Sequence, residues 1–293
     1  MTIFKGSGVA IVTPFNNNGS INYEEMARLL EFQIENKTDA IIVAGTTGEA
    51  STLNDEEQLA LIDFTVKKVN GRIPVIAGTG SNDTRHGIKL SIDACKLGID
   101  GLLMVTPYYN KTSQKGLIEH FTSIAKHVDK PIILYNVPGR TQVNLLPKTV
   151  YELSKLENIV GLKDATGDLS YTVEVIRLCG PDFAVYSGND DVIVPLLSVG
   201  GVGVISVLAN IAPRETHDLV DFYLNGNIKE SAALQLKYKP LIDALFVEAN
   251  PIPVNKALEL MRYDVGPLRL PLVEASSETT ALLVEKMKEV DLI

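Results

Sequence analysis

IVGLKDATGD, residues 159–168, is the stretch on which the fold turns. Both alternate sets at its start, Ile159 with Gly161 and Val160 with Leu162, lack charge. A strand with one wet face alternates apolar and polar residues, so this run reads as a strand buried on both faces, the habit of a parallel sheet. The run then ends on Lys163 and Asp164. A charge costs free energy where water is scarce, so the lysine calls for an explanation.

The pattern recurs seven more times. The other runs are VAIVTPF from Val9, AIIVAGTTGE from Ala40, IPVIAGTG from Ile73, GLLMVTPYYN from Gly101, PIILYNVPGR from Pro131, FAVYSGNDD from Phe183 and GVGVISVLAN from Gly201. Their starts fall 18 to 33 residues apart. Amphipathic segments fill the gaps. NYEEMARLLEFQIENK offers Asn22 as an N-cap with Glu25 three residues on, and NDEEQLALIDFTVKKV repeats the device with Asn54 and Glu57. SQKGLIEHFTSIAKHV and LLPKTVYELSKL also read as helices. Eight strand–helix units at this spacing predict an α/β protein, a (β/α)8 TIM barrel over residues 1–226. A doubly wound open sheet is the alternative, and eight regular units without an antiparallel element fit it less well. Past about Asn225 the strands stop. NIKESAALQLKYKPLIDALFVE, PVNKALELM and SSETTALLVEKMKEV predict a C-terminal helical extension over residues 227–293, packed on a sister subunit or laid over the barrel.

The chain has 293 residues, 45% of them hydrophobic and 22% charged, a composition suited to a soluble globular enzyme. That length can bury a core without disulfides or metals. Its 27 Lys and Arg against 36 Asp and Glu leave a net charge of −9, which repels phosphate backbones and argues against nucleic acid as a partner. A small anionic substrate needs only a local cation or two, so that class stays open. Cys95 and Cys179 lie far apart with no CxxC, which fits two small buried hydrophobes in a reducing compartment. MTIFKGSGVAIVTPF does not read as a signal peptide, and no apolar run reaches bilayer length. We therefore expect a cytoplasmic protein with no membrane partner.

Polar residues gather where the apolar runs end: Thr46, Thr47 and Glu49; Thr79; Thr106, Tyr108 and Tyr109; Tyr135, Asn136 and Arg140; Lys163 and Asp164; Ser187, Asn189 and Asp190. In a barrel all C-terminal strand ends open on one mouth, where active sites sit. Each residue has a plain reading and a chemical one. Lys163 either snorkels its amine to the rim or, with its pKa lowered by burial, attacks a carbonyl to form a Schiff base. Tyr135 is a core aromatic or a proton carrier. Arg140 is a surface residue or a bidentate grip on a carboxylate. GTTGE is a plain strand-to-loop turn, or it brings Thr46 and Thr47 close to an anion past Gly45 and Gly48. Asp164 should point to the opposite face of its strand from Lys163.

Other motifs fail. GTGSND lacks dinucleotide context, GxxxxGK[ST] and GxSxG are absent, and His86, His120, His127 and His217 show no metal spacing. His120 and His127 share one predicted helix and are expected to be solvated.

Taken together, GTTGE, TPYYNK, YNVPGRT, GLKDATGD, YSGNDD and GVISV resemble the dihydrodipicolinate synthase (4-hydroxy-tetrahydrodipicolinate synthase) family, within the pyruvate-dependent class I aldolases related to N-acetylneuraminate lyase. The likeness covers almost the whole chain, and GRT after YNVP is its most specific part. It implies a lyase that condenses pyruvate with L-aspartate 4-semialdehyde toward diaminopimelate and lysine. It also implies no metal or organic cofactor, and a homotetramer built as a dimer of dimers. Carried over by position, Lys163 would form the Schiff base and Tyr135 would move protons. Thr46 would hydrogen-bond Tyr135, and Tyr109 would complete the relay from a neighbouring subunit. Thr47 would hold the pyruvate carboxylate and Arg140 the semialdehyde carboxylate, while Gly188 and Ile205 would line the pocket with backbone groups. Lysine-inhibited relatives have histidines and a glutamate where this chain has Asp55, Gln58 and His86, although Asn82 and Tyr108 are retained; weak or absent lysine feedback is expected. Two alternatives remain. One is a sugar-acid aldolase, against which Arg140 argues; the other is a non-catalytic barrel, against which Lys163, Tyr135, Thr46 and Tyr109 argue jointly.

Overall fold

Eight strands close into a parallel barrel: β1 (Gly6–Ala10), β2 (Ala40–Val43), β3 (Val75–Gly78), β4 (Gly101–Val105), β5 (Ile132–Asn136), β6 (Ile159–Asp164), β7 (Ala184–Ser187) and β8 (Gly203–Ser206). The computed structural model describes residues 2–293. β1 pairs with both β2 and β8, so no strand is left with a free edge. Around the barrel run α1 (Tyr23–Glu35), α2 (Asp55–Val69), α3 (Thr84–Cys95), α4 (Gln114–Ala125), α5 (Pro138–Thr141), α6 (Pro147–Leu153), α7 (Leu169–Cys179), α8 (Ile193–Ser198) and α9 (Pro213–Leu224). Then come α10 (Ile228–Ala244), α11 (Ile252–Leu260) and α12 (Ser277–Glu289), a C-terminal helical region that packs on α9 and on itself. The predicted barrel and helical C-terminus are present.

Strand periodicity sorts the core into two layers. Ala40 and Ile42 of β2 join Ile76, Leu103, Ile133, Tyr135, Tyr186 and Ile205 inside the barrel, while Ile41 and Val43 face outward into the larger core under the helices. Burying each such aliphatic side chain is worth roughly 1.5–3 kcal/mol before conformational entropy is set against it. The same alternation turns Lys163 inward beside Tyr135 and Tyr186, its register partners on β5 and β7. Asp164 turns outward, where its Oδ2 accepts from the Thr172 hydroxyl of α7 and its Oδ1 accepts from Thr166, as the strand geometry predicts. At the N-terminal end the Tyr186 phenol donates to the Phe4 carbonyl at 2.7 Å and its ring stacks on Phe4, which plugs that end.

Local signals set the helix starts. Asn54 and Glu57 close a full capping box at the head of α2. At α1 only half of the device forms. Asn22 caps the Glu25 amide, but the Glu25 carboxylate is taken by Arg28 and by the Asp264 amide, a tertiary partner 239 residues away. His120 corrects the solvated expectation. It is buried on the inner face of α4 with Nδ1 on the Thr84 hydroxyl, and burial holds its pKa down. His127 is exposed and lies just past the end of that helix. Cys95 and Cys179 are free and half-buried. Among the described residues no helix is long and apolar enough to cross a membrane, and no group of three or more His, Cys, Asp or Glu is placed to hold a metal.

The segment between α11 and α12 is fastened to the barrel by Arg269. Its guanidinium donates to the Gly19 and Thr52 carbonyls and to the Glu57 carboxylate, and it lies 4.4 Å over the Phe15 ring.

Candidate active site

The mouth of the barrel is built from the segments that follow β2 to β7. After β2 the chain must turn sharply, and the left-handed residues are Ala44 and Glu49 rather than the glycines. Gly48 is needed for space instead: a Cβ there would lie 3.0 Å from the Ile11 carbonyl and 3.2 Å from the Thr13 hydroxyl. The turn leaves Thr46 exposed and Thr47 buried. After β5, Pro138 opens the short helix α5 that carries Arg140.

A cavity of about 390 Å³ opens at this mouth. Thr46, Tyr135, Arg140 and Tyr108 line it together with Asp55, Gln58 and His86. Lys163 packs against the lining ring of Tyr135, with Nζ 4.5 Å from the ring centroid. Only 5% of the lysine is exposed, and burial lowers its pKa from 10.5 to about 8. The positive charge of Arg140 pushes in the same direction, and the negative charge of Asp190 opposes both. Burial raises the Tyr135 phenol, against the pull of the Arg140 charge and of the Thr46 hydroxyl beside it. An amine brought down toward neutrality and a phenol beside it form a nucleophile and a proton carrier in one apolar recess.

Thr47 and Arg140 are coupled through a residue that the sequence reading did not single out. Asn250, on the loop before α11, donates from Nδ2 to the Thr47 hydroxyl at 3.0 Å, and its backbone carbonyl accepts from Arg140 Nη2 at 2.9 Å. Thr47 therefore uses its oxygen as an acceptor and keeps its own proton for an anion. Nothing local to Asn250 signals this, because Thr47 lies 203 residues away. Asp190 was visible at its strand end but had no assigned part; it is fully buried and coupled to Lys163.

Gly188 lies against the lysine: a Cβ there would sit 3.1 Å from Lys163 Cε and 2.7 Å from Ala165 Cβ. Its N–H is spent on the Asp164 carbonyl. Ile205 is fully buried in the barrel-interior cluster that contains Tyr135. Lys163, Tyr135, Thr46, Thr47, Arg140, Gly188 and Ile205 thus meet at one end of the barrel. Tyr109 does not join them within one chain. It is 93% exposed, at φ +68°, and only its neighbour Tyr108 reaches the cavity.

The Dihydrodipicolinate synthetase family model matches residues 3–290. The chain is 55% identical over 294 residues to the 4-hydroxy-tetrahydrodipicolinate synthase of Thermoanaerobacter sp. (strain X514), covering 100% of this chain and 99% of that one. A solved monomeric dihydrodipicolinate synthase variant is 47% identical with a TM-score of 0.97, covering 99% of this chain and 98% of that one. The chloride-inhibited dihydrodipicolinate synthase of Acinetobacter baumannii, solved with pyruvate, is 43% identical with a TM-score of 0.97 and full coverage of both chains.

Proposed function

Because the chain belongs to the dihydrodipicolinate synthetase family, we propose that its barrel mouth performs that family's reaction through Lys163. The protein is a lyase that condenses pyruvate with L-aspartate 4-semialdehyde on the route to diaminopimelate and lysine. The observation that carries the role of Lys163 is an amine brought to a pKa of about 8 against the Tyr135 ring at the mouth.

In this reading the neutral Nζ attacks the pyruvate carbonyl while Thr47 donates to the pyruvate carboxylate. The resulting iminium draws electrons from the methyl group and makes its protons acidic. The Tyr135 phenol, with Thr46 beside it, carries protons to and from the carbinolamine and the methyl carbon. The enamine then attacks the aldehyde of the second substrate, whose carboxylate Arg140 grips. The substrate's own amine finally displaces Lys163. Gly188 and Ile205 shape the wall behind the lysine.

The second part of the proposal concerns assembly. Tyr109 completes the proton relay of a neighbouring subunit, in a cytoplasmic homotetramer; its near-total exposure on a single chain supports this. Lysine feedback is weak or absent. Side chains of the cavity wall are already committed, Asp55 to His86 at 2.8 Å and Gln58 to the Gly78 carbonyl at 2.7 Å. Strong inhibition of turnover by L-lysine would overturn that.

The deciding experiment is pyruvate-dependent consumption of L-aspartate 4-semialdehyde, coupled to a reductase and followed by NADPH loss. Turnover that vanishes in Lys163→Ala supports the assignment. Turnover that survives in it removes Lys163 from the chemistry.

A further inference from the structure

Asp190 is a buried carboxyl at the mouth that these steps do not use. Asp190 lies two residues past Gly188, the residue pressed against Lys163 Cε. It is 2% exposed. Its Oδ2 accepts from the Val207 and Leu208 amides, both at 2.9 Å. Its Oδ1 is buried and has no hydrogen-bond partner among the described residues. The segment is clamped from outside, where Gln235 of α10 donates to the Asp190 carbonyl at 2.8 Å. Burial raises the carboxyl's pKa, while the Ser206 hydroxyl beside it and the two amides favour the ionised form. The other titratable groups around Lys163 are the Tyr135 phenol on β5, the Tyr186 phenol on β7 and the Arg140 guanidinium on α5; burial raises both phenols, and none of the three is an anion. Asp164 faces away, into α7. The β8 end contributes only Ser206, Val207 and Leu208.

We propose that Asp190 is the buried counterion of the iminium formed on Lys163, a positioning residue whose carboxylate stabilises the cation by its charge. The proposal rests on the assignment of Lys163 as the nucleophile. The neutral Nζ gives its electron pair to C2 of pyruvate, and the carbonyl π pair moves to oxygen. That oxygen leaves as water after one net proton is taken up, and a C=N–H bond carrying one positive charge remains. Solvating water is scarce there, so a fixed negative charge nearby lowers the free energy of this cation. Loss of a methyl proton then gives a neutral enamine, and the C–C bond to the aldehyde restores the iminium charge that the anion stabilises.

Asp190→Asn keeps the side chain's size and can still accept from the backbone amides. The readouts are the rate at which cyanoborohydride traps pyruvate, with the adduct mapped to its lysine by peptide mass spectrometry, and the pH dependence of that rate. In the Asn variant we expect the plateau rate of trapping above the limb to fall at least tenfold, and the rising limb of the profile to move about one pH unit toward acid, the scale of losing one close opposite charge. A purely structural role would lower the melting temperature and leave the limb in place. Ser206→Ala retains the carboxylate but removes a group that favours its ionisation, so it should move the limb the same way by less. A folded Asn variant with unchanged trapping and limb overturns the proposal. If that variant does not fold, an unchanged limb in Ser206→Ala overturns it. An adduct mapped to a different lysine in the parent enzyme refutes the Lys163 assignment instead.

Discussion

The strongest quantitative prediction is the pH dependence of pyruvate capture by Lys163. The lysine's pKa is about 8 in the fold against 10.5 for an ordinary lysine. At pH 7 about 9% of the amine is then neutral, against about 0.03% for an exposed lysine, a gain of roughly 300-fold in nucleophile. The sign is set by burial, which penalises the ammonium, so the reactive form grows as pH rises. The perturbation is a titration from pH 6 to pH 10 at limiting pyruvate. The assay is the initial rate of trapping on the parent enzyme at cyanoborohydride high enough to make amine attack limiting, with Lys163→Ala as the blank. The rate should climb nearly tenfold per unit below pH 7.5, bend near pH 8 and stay level to pH 10. A rate still climbing tenfold per unit between pH 9 and pH 10 would mean that the buried environment does not activate the amine. A bend near pH 8 that survives in Lys163→Ala would assign the titration to another group.

Three further outcomes follow from named contacts. Gly188→Ala places a Cβ 2.7 Å from Ala165 Cβ and 3.1 Å from Lys163 Cε, so Ala165 must move and the lysine must give way slightly; over-packing of this kind costs about 1–3 kcal/mol, and kcat should fall as the lysine leaves its position. A melting temperature and kcat equal to the parent's would refute that. Arg140→Ala should raise KM for the semialdehyde roughly 10- to 100-fold, the value of a charge-assisted bond of about 1.5–3 kcal/mol, while pyruvate trapping changes far less; equal loss in both assays would break the dicarboxylate reading. Arg269→Ala removes the donor to Gly19, Thr52 and Glu57 and bares the Phe15 ring. It should lower stability by about 3 kcal/mol and the melting temperature by roughly 5–10 °C, with kcat retained, and a shift under 1 °C by calorimetry would count against the anchor.

Much of the barrel can be read locally, because a strand buried on both faces needs apolar residues at both parities and a helix start needs a cap. The eight runs and the Asn54–Glu57 capping box are signals of this kind. The inward turn of Lys163 and the outward turn of Asp164 follow from the two-residue period alone. The convergence of Thr46, Tyr135 and Arg140 is legible once the topology is granted, since every C-terminal strand end faces one mouth.

Long-range partners decided the rest. Glu25 looked like half of a capping box, and the Asp264 amide with Arg28 claims it instead. His120 looked polar and solvated on its helix, yet packing against α3 buries it. Asn250 ties Thr47 to Arg140 from 203 residues away, and Asp190 becomes the charge beside Lys163 only when β7 lies next to β6. Sequence by itself determined the strands, their facing and the residue types at the mouth, because backbone geometry and hydrophobic periodicity act between near neighbours. Only the tertiary structure decided which carboxylate meets which cation and how far the lysine's pKa falls, because desolvation and Coulomb interaction depend on distance in space, which chain order does not supply.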